Sequence, residues 1–325
     1  MPTSIAGHRP PPALDTLLVS VGGRGKDAVG AVGAVSGAWG GGELAGLGAL
    51  DRQRIDVVAA VLDGVGRVLP AQGWHLKGST AHLGWLGPAA RLPNDVDLCV
   101  AAGAAHSILA PTTLPPRHDG TSVRLLRAEP IVFSSPDRAT AHRVLAEVAD
   151  RPGGVVVGRV LLNVLLAPDV RAAADARTAP LHFPSSAGAV TVPAGTLSRL
   201  VAQKLLRYTR LRDGKVNTRW ADLLDVLLVA ASHRAPALHL GELRHDIAVE
   251  FTEMRRPWPT RLPAPPAEWL DFWDNATFLH ALPFGRLSDA VGQLERFLLP
   301  VLEGSEQPAV ARAWSPGAWE WAIRE

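Results

Sequence analysis

Two short segments of the sequence carry residue types that can do chemistry together. The first is Gly78-Ser79, and the second holds Asp95 and Asp97, separated by one residue. Because successive side chains of a β-strand point to opposite faces, a strand predicted over residues 96–101 places both carboxylates on the same side. Like charges so placed repel unless a cation lies between them, and Mg²⁺ is typically held by one or two carboxylates together with substrate phosphates. The pair therefore indicates a Mg²⁺ site, with an exposed acidic strand edge as the alternative.

Gly78-Ser79 has the composition of an anion-binding turn. It follows a short apolar strand candidate over residues 74–76 and precedes a helix predicted over residues 80–86. Glycine lets a backbone approach a phosphate closely, and the free amides at the start of a helix bind anions. An ordinary turn with a helix cap is the alternative. Beside a Mg²⁺ site, such a turn would supply the minimum needed to handle a nucleoside triphosphate.

A third group of polar residues lies on two predicted helices. Lys204 belongs to a helix predicted over residues 196–212, and its stem can pack against apolar neighbours while its ammonium reaches a cleft and binds polyphosphate. Asp222 and Asp225 are three residues apart on a helix predicted over residues 219–232, so they share one side of it. A surface ion network within that helix is the alternative.

The elements around these residues predict an α+β fold. An apolar pattern at spacings of three and four begins a helix near Asp51, a further helix is predicted over residues 137–149, and a buried strand over residues 155–166. Strands are predicted mainly before residue 192 and helices after it. We expect a flexible Gly/Ala/Pro-rich segment at 1–50, a core with a mixed sheet and flanking helices at 51–192, and a helical C-terminal domain at 193–325 that contributes Lys204 and Asp222.

The composition excludes several classes of protein. With 47% apolar and 20% charged residues, the chain can bury a core and is neither disordered nor fibrous. A net charge of +2 gives no strong overall attraction for nucleic acid. No apolar run reaches the roughly 18 residues of a spanning helix, no signal peptide is evident, and the single cysteine, Cys99, fits a reducing compartment. We expect a cytoplasmic protein without a membrane partner.

The three motifs in this order resemble the polymerase-β-like nucleotidyltransferase superfold, whose signature is Gly-Ser followed by Asp-x-Asp. They are more closely similar to the AbiEii/AbiGii-type toxin family of nucleotidyltransferases. Residues 76–82, Leu-Lys-Gly-Ser-Thr-Ala-His, are similar to the family's Leu-Lys-Gly-Gly-Thr-Ala-Leu, and residues 95–98 to its Asp-Leu-Asp-Leu. Residues 219–226 are similar to its Arg-x-Lys-Asp-Leu-x-Asp-Leu. The resemblance covers residues 74–232.

The resemblance implies a Mg²⁺-dependent (or Mn²⁺-dependent) enzyme that transfers a nucleoside monophosphate from a nucleoside triphosphate (NTP) to an acceptor hydroxyl. It also implies a toxin of an AbiE-like type IV toxin-antitoxin system, with the tRNA acceptor end as one acceptor and a cognate antitoxin as partner. The implied catalytic residues are Asp95, Asp97, Lys204 and Asp222, the first two also holding the metal. The implied nucleotide-binding residues are Lys77, Gly78, Ser79, Thr80 and Asp225.

Three positions depart from these patterns. Ser79 replaces the frequent second glycine, Ala221 replaces the lysine before Asp222, and Asn163 stands where polymerase-β-like enzymes usually carry a third carboxylate. A neutral amide is a weaker metal ligand and leaves less negative charge to hold a second cation. Two other hypotheses therefore stay open: a small-molecule nucleotidyltransferase of the antibiotic-modifying kind, and a catalytically degenerate nucleotide-binding module.

Overall fold

The computed structural model of the chain describes residues 44, 46–131, 140–168, 177–210, 219–280, 282, 284–304 and 312–323. All of them belong to one compact unit, Gly33–Glu325. The segment predicted at 1–50 lies almost entirely outside the described residues, and the domain boundary predicted at residue 192 stays a prediction. In the ranges that are described, every helix is too short or too polar to span a lipid bilayer.

Strands dominate the first part of the described chain and helices the second. The strands are β1 (Trp74–Lys77), β2 (Asp95–Ala101), β3 (Thr112–Thr113), β4 (Ser122–Leu125), β5 (Glu129–Ile131), β6 (Ala141–Ala149), β7 (Val156–Ala167), β8 (Thr178–Phe183), β9 (Val190–Gly195), β10 (Arg312–Ser315) and β11 (Glu320–Ile323). The helices are α1 (Ala49–Val68), α2 (Gly78–Leu86), α3 (His106–Leu109), α4 (Leu197–Tyr208), α5 (Trp220–Ala231), α6 (Leu240–Glu253), α7 (Leu270–His280) and α8 (Leu287–Glu303).

Strands β1 to β9 form one mixed sheet. Its order is β3-β4-β6-β7-β2-β1-β9-β8, and β5 pairs with β6 beside β4. β2 runs parallel to β7 and β1 runs parallel to β9, whereas the other pairs are antiparallel. The predicted mixed sheet with flanking helices is therefore confirmed.

One face of the sheet carries the hydrophobic core. Helix α1 packs against this face across β4, β6, β7 and β9, and the apolar residues of its predicted stripe are all buried. The stripe consists of Ile55, Val58, Ala59, Leu62 and Val65. Leu76, Leu98 and Val164 face them from the central strands and are fully buried. Burial of this stripe stabilises the helix far more than its intrinsic propensity does.

The other face of the sheet is polar near its centre. Residues paired across neighbouring strands project to the same side, and the registers align Lys77 with Asp97, Asp97 with Asn163, and Asn163 with Arg143. We call the sheet face that bears these four side chains the polar face. It is where the sequence-predicted aspartates lie.

The helix predicted over residues 137–149 is wrong where the structure describes it, because residues 141–149 form strand β6. Val144, Ala146 and Val148 are buried, whereas Arg143 is exposed on the opposite side. This alternation has the period of a strand, and long pairing with β7 fixes it. Residues 137–139 lie outside the described part of the chain.

The other elements that position the site are confirmed. The two strand candidates are β1 and β2, and the helices predicted from residues 196 and 219 are α4 and α5. Thr196 caps α4 by accepting a hydrogen bond from the backbone N–H of Arg199. The helical region predicted after residue 192 also contains an unpredicted hairpin, β10–β11, so it is only partly helical.

The alternation of β6 predicts losses of stability that differ in size between neighbouring positions. Val144→Asp would bury an unpaired carboxylate in the core, and we expect it to lower the free energy of unfolding by about 3 kcal/mol or more. Leu145→Asp places the charge on the half-exposed side of the same strand, and we expect a loss of about 1 kcal/mol or less. Chemical denaturation of both variants measures the difference, and equal losses would contradict the strand register.

Candidate active site

Asp95 and Asp97 lie together on the polar face at the start of β2. Asp97 is opposite Asn163 on β7 and opposite Lys77 on β1. Asn163 Nδ2 donates hydrogen bonds to Asp95 Oδ2 at 2.6 Å and to Asp97 Oδ1 at 3.0 Å. The prediction that both carboxylates face one side is confirmed, since a single amide group contacts both.

Gly78 brings the turn between β1 and α2 against Asp97. Its φ of 69° is in the left-handed region that favours glycine. A Cβ at this position would lie 2.1 Å from Asp97 Oδ2, a distance that no side chain can tolerate. Only glycine therefore permits this approach, and the Gly-Ser turn and the carboxylate pair form one site.

Helix α2 begins at Gly78, two residues before the start predicted at Thr80. Ser79 Oγ accepts hydrogen bonds from Arg91 Nη2 at 2.5 Å and from Lys204 Nζ at 3.5 Å. Thr80 is buried, and its hydroxyl donates to the backbone carbonyl of Asp95 at 2.7 Å. Thr80 thus ties α2 to β2, whereas Ser79 lies among charged side chains of both signs, since its hydroxyl donates to Asp225 Oδ2 at 3.4 Å.

Lys204, Asp222, Asp225 and Arg91 form a buried charge cluster beside Ser79. Lys204 Nζ lies 2.9 Å from Asp222 Oδ1 and 2.6 Å from Asp225 Oδ2. Arg91 Nε lies 2.8 Å from Asp225 Oδ1. The side chains of Lys204, Asp222 and Asp225 are only 4%, 5% and 2% exposed, so their charges interact with little screening by water.

The electrostatics of the buried charge cluster keep Asp225 ionised. Burial alone would raise the pKa of Asp225, but the charges of Lys204 and Arg91 outweigh this effect and hold the pKa well below its usual range. Burial likewise acts to lower the pKa of Arg91, yet the attraction of Asp225 raises it overall. The ion pair between Asp225 and Arg91 therefore persists at neutral pH.

In the carboxylate pair, the pKa of Asp95 is shifted in the opposite direction to that of Asp225. Burial raises the pKa of Asp95, and the adjacent charge of Asp97 raises it further, while the hydrogen bond from Asn163 acts to lower it. On the neighbouring strand, burial lowers the pKa of Lys77, and the charge of Arg207 acts in the same direction. The surroundings of Asp95 thus disfavour its ionised form, which a bound cation would favour.

His82 lies beneath the site on α2. It is only 2% exposed, and neither ring nitrogen has a hydrogen-bond partner in the described structure. Burial lowers its pKa to about 3; Asp225 opposes this shift, and Lys204, Arg91 and Arg207 add to it. His82 is therefore a neutral packing residue and does not line the cleft.

Arg91 is a site residue that the sequence analysis missed. It is 22% exposed and joins Asp225 and Ser79 from the segment between α2 and β2. None of the quoted motifs includes this segment, although it lies between two of them. The available signal was a single charged residue in the apolar run 83–93 between two chemistry-bearing motifs.

The structure brings the sequence-predicted site residues into one region. They are Lys77, Gly78, Ser79, Thr80, Asp95, Asp97, Lys204, Asp222 and Asp225, linked by the contacts given above. Thr80 is buried beneath the turn, and Asp225 is enclosed by its two cationic partners. The catalytic and nucleotide-binding roles of all nine residues stay predictions.

The donor set of the carboxylate pair fits a Mg²⁺ ion. Asn163 contacts one oxygen of each carboxylate, so each keeps a second oxygen for another partner. Across the described ranges, no three His, Cys, Asp or Glu side chains gather into a metal-binding group. Two carboxylates, with phosphate oxygens from a substrate, are a common ligand set for Mg²⁺. Asp95 and Asp97 are thus the residues that would hold the ion.

A mixed sheet that joins a Gly-Ser turn to an Asp-x-Asp pair is consistent with a nucleotidyltransferase-like α+β fold. The family model described as nucleotidyl transferase AbiEii toxin, type IV TA system, matches residues 60–282. Since the match covers more than half of the chain, the protein belongs to this family of nucleotidyltransferase toxins, as the motifs indicated. No curated protein matches the chain.

The neutral burial of His82 predicts a pH-dependent stability. The unfolded chain binds a proton at this residue below about pH 6.5, whereas the folded chain does so only near pH 3, so stability is lost as the pH falls from 6.5. At pH 5 the loss is about 2 kcal/mol. We expect His82→Leu to remove this part of the pH dependence, measured by urea denaturation at pH 7 and pH 5. If the unfolding free energy of both proteins changed equally between pH 7 and pH 5, the assignment to His82 would be contradicted.

The enclosure of Asp225 predicts a large effect of neutralising it. Asp225→Asn leaves Arg91 without a charged partner in the buried charge cluster, and we expect a loss of about 3–5 kcal/mol in unfolding free energy. Asp222→Asn should cost less because Lys204 keeps Asp225. Asp271→Asn, at an exposed position on α7, is the control. A loss for Asp225→Asn no greater than for this control would show that the cluster does not stabilise the fold.

Proposed function

We propose that the protein transfers a nucleoside monophosphate from an NTP to an acceptor hydroxyl in a Mg²⁺-dependent reaction. The observation that carries this proposal is the approach of Gly78 to Asp97, where a Cβ would lie 2.1 Å from the carboxylate oxygen. This close approach places the Gly-Ser turn, which would bind anions, beside the carboxylate pair, which would bind a cation. That combination suits a substrate that is a polyphosphate with a bound divalent cation.

The turn and the buried charge cluster would bind the β- and γ-phosphates. Gly78 permits close approach of the backbone, and the first amides of α2 and the hydroxyl of Ser79 can donate to phosphate oxygens. Lys204 and Arg91 contact Ser79 Oγ, so both positive charges lie beside the position proposed for the phosphates. Arg91 suits bidentate contacts to a phosphate, and Lys204 acts as a point charge.

Asp95 and Asp97 would hold Mg²⁺, with Mn²⁺ as a substitute. When bound, the ion supplies charge neutralisation at the phosphates and helps to align the attack. The half-buried position of both carboxylates limits competition from water for these contacts.

In the proposed transfer, the acceptor oxygen forms a bond to the α-phosphorus and the bond from that phosphorus to the α,β-bridging oxygen breaks. Pyrophosphate leaves, and the acceptor proton passes to a base of the site. Asp222 is the candidate base or acceptor-positioning residue. Its Oδ1 is bound to Lys204, and its Oδ2 is buried without a hydrogen-bond partner in the described structure, so proton uptake at Oδ2 would break no existing hydrogen bond.

The acceptor and the partner are proposed from the family. Membership of a type IV toxin-antitoxin family supports a cognate antitoxin as partner. The motif resemblance implies the acceptor end of tRNA as the acceptor. The near-neutral net charge of the chain neither favours nor opposes a nucleic-acid acceptor, so a small hydroxylated metabolite is the competing acceptor.

We expect the purified protein to transfer label from an α-³²P-labelled NTP to tRNA when Mg²⁺ is present. Asp97→Ala removes one of the two metal-binding carboxylates and should reduce transfer at least 1,000-fold, as should removal of Mg²⁺ with EDTA. The measurement is the labelled product on a denaturing gel, with each of the four NTPs tested separately.

Asp289→Ala, which removes an exposed carboxylate on α8, is the matched control and should retain full activity. Labelling of a small hydroxylated compound instead of tRNA would favour the small-molecule enzyme. If calorimetry shows tight nucleotide binding with the same affinity in the presence and absence of Mg²⁺, and no acceptor is labelled, the degenerate binding module is favoured and the proposal is overturned.

A further inference from the structure

Asn163 occupies the position between the two acidic side chains of the site. It projects from β7 on the polar face, directly opposite Asp97 in the register. Its Nδ2 lies 2.6 Å from Asp95 Oδ2 and 3.0 Å from Asp97 Oδ1. Since both partners are carboxylate oxygens, the amide nitrogen, which carries two hydrogens, is the atom that must face them.

The hydrogen bonds from Asn163 reduce the repulsion between the two carboxylates. Two carboxylates on one face repel each other, and the repulsion would push their side chains apart or favour protonation of one of them. Asn163 donates one hydrogen bond to each carboxylate and so holds the two carboxylates at a fixed separation. The oxygens that it contacts differ from Asp97 Oδ2, the atom beside Gly78, so the amide orients the pair without covering the side that faces the turn.

The other end of the amide shows that stability alone does not explain the residue. Asn163 Oδ1 is buried and has no hydrogen-bond partner in the described structure. An unpaired buried acceptor costs free energy, because its lost hydration is not replaced. A residue kept only for the fold would be expected to pair both ends or to be apolar, so the contacts to Asp95 and Asp97 are the reason for an amide here.

We infer that Asn163 is a positioning residue that sets the spacing of Asp95 and Asp97 and restricts the site to one tightly bound divalent cation. The inference rests on the proposed function, because it assumes that the two carboxylates hold that cation. An amide adds no negative charge, whereas a carboxylate at this position would bring the total to three and favour a second ion. The side chain at position 163 thus determines both the affinity and the number of ions.

Titration with Mn²⁺, followed by the electron paramagnetic resonance signal of the free ion, tests this inference on the full chain without relying on activity. We expect the wild-type chain to bind one Mn²⁺. Asn163→Leu keeps the side-chain volume but removes both hydrogen bonds, and it should weaken binding at least tenfold. Asn163→Ser keeps one donor and should give an intermediate loss, which provides a second variant if the leucine variant folds poorly.

Asn163→Asp should raise the stoichiometry towards two ions per chain. Asn275→Leu and Asn275→Asp are the matched controls, because Asn275 is exposed on α7 and bonds only to the carbonyl of Asp271 in its own helix among the contacts of the described residues. Both controls should bind Mn²⁺ as the wild type does. Circular dichroism melts of all variants report whether each chain is folded.

The outcomes separate this inference from the proposed function. If the wild type binds Mn²⁺, Asp97→Ala abolishes binding and Asn163→Leu binds like the wild type, the proposed metal site stands and the positioning role is wrong. If Asn163→Asp still binds one ion, the restriction to a single cation is wrong. If the wild-type chain binds no Mn²⁺, or Asp97→Ala binds it unchanged, the proposed metal site fails and the inference fails with it.

Discussion

The repulsion between Asp95 and Asp97 is the constraint around which the rest of the site is arranged. Two carboxylates on one face of a strand are unfavourable in a half-buried position, and within the described part of the chain the protein pairs neither of them in a salt bridge. It offers a neutral amide from Asn163 on one side and the backbone of Gly78 on the other. Negative charge is therefore retained at the point where a divalent cation would relieve it.

The mixed sheet makes this arrangement possible through its registers. β2 pairs with β1 on one side and β7 on the other, which places Lys77, Asp97 and Asn163 in a row. Because the opposite face of the same strands is packed against α1, a slip of one residue would exchange the core with the polar face. The packing of the core thus fixes the geometry of the site.

Much of the site was predictable because its residues lie in short segments with local signals. Gly78, Asp95 and Asp97 could be placed from strand periodicity and turn composition, and α4 and α5 from their apolar stripes. Arg91 could not, since its role depends on contacts with Asp225, 134 positions away in the sequence. The sequence predicts a helix at β6 because its alanines and charged residues favour helices by propensity, and only the pairing with β7 overrides this preference.

The buried charge cluster has a consequence for how a polyphosphate could bind. Lys204 and Arg91 each have an aspartate partner before any substrate arrives, so their charges are held in place without leaving isolated cations in the protein interior. A phosphate beside Ser79 would compete with Asp225 for these two side chains. Only a ligand with several negative charges, partly balanced by a cation on Asp95 and Asp97, would compete well. The same ion pairs that stabilise the buried charge cluster would thus select against singly charged anions.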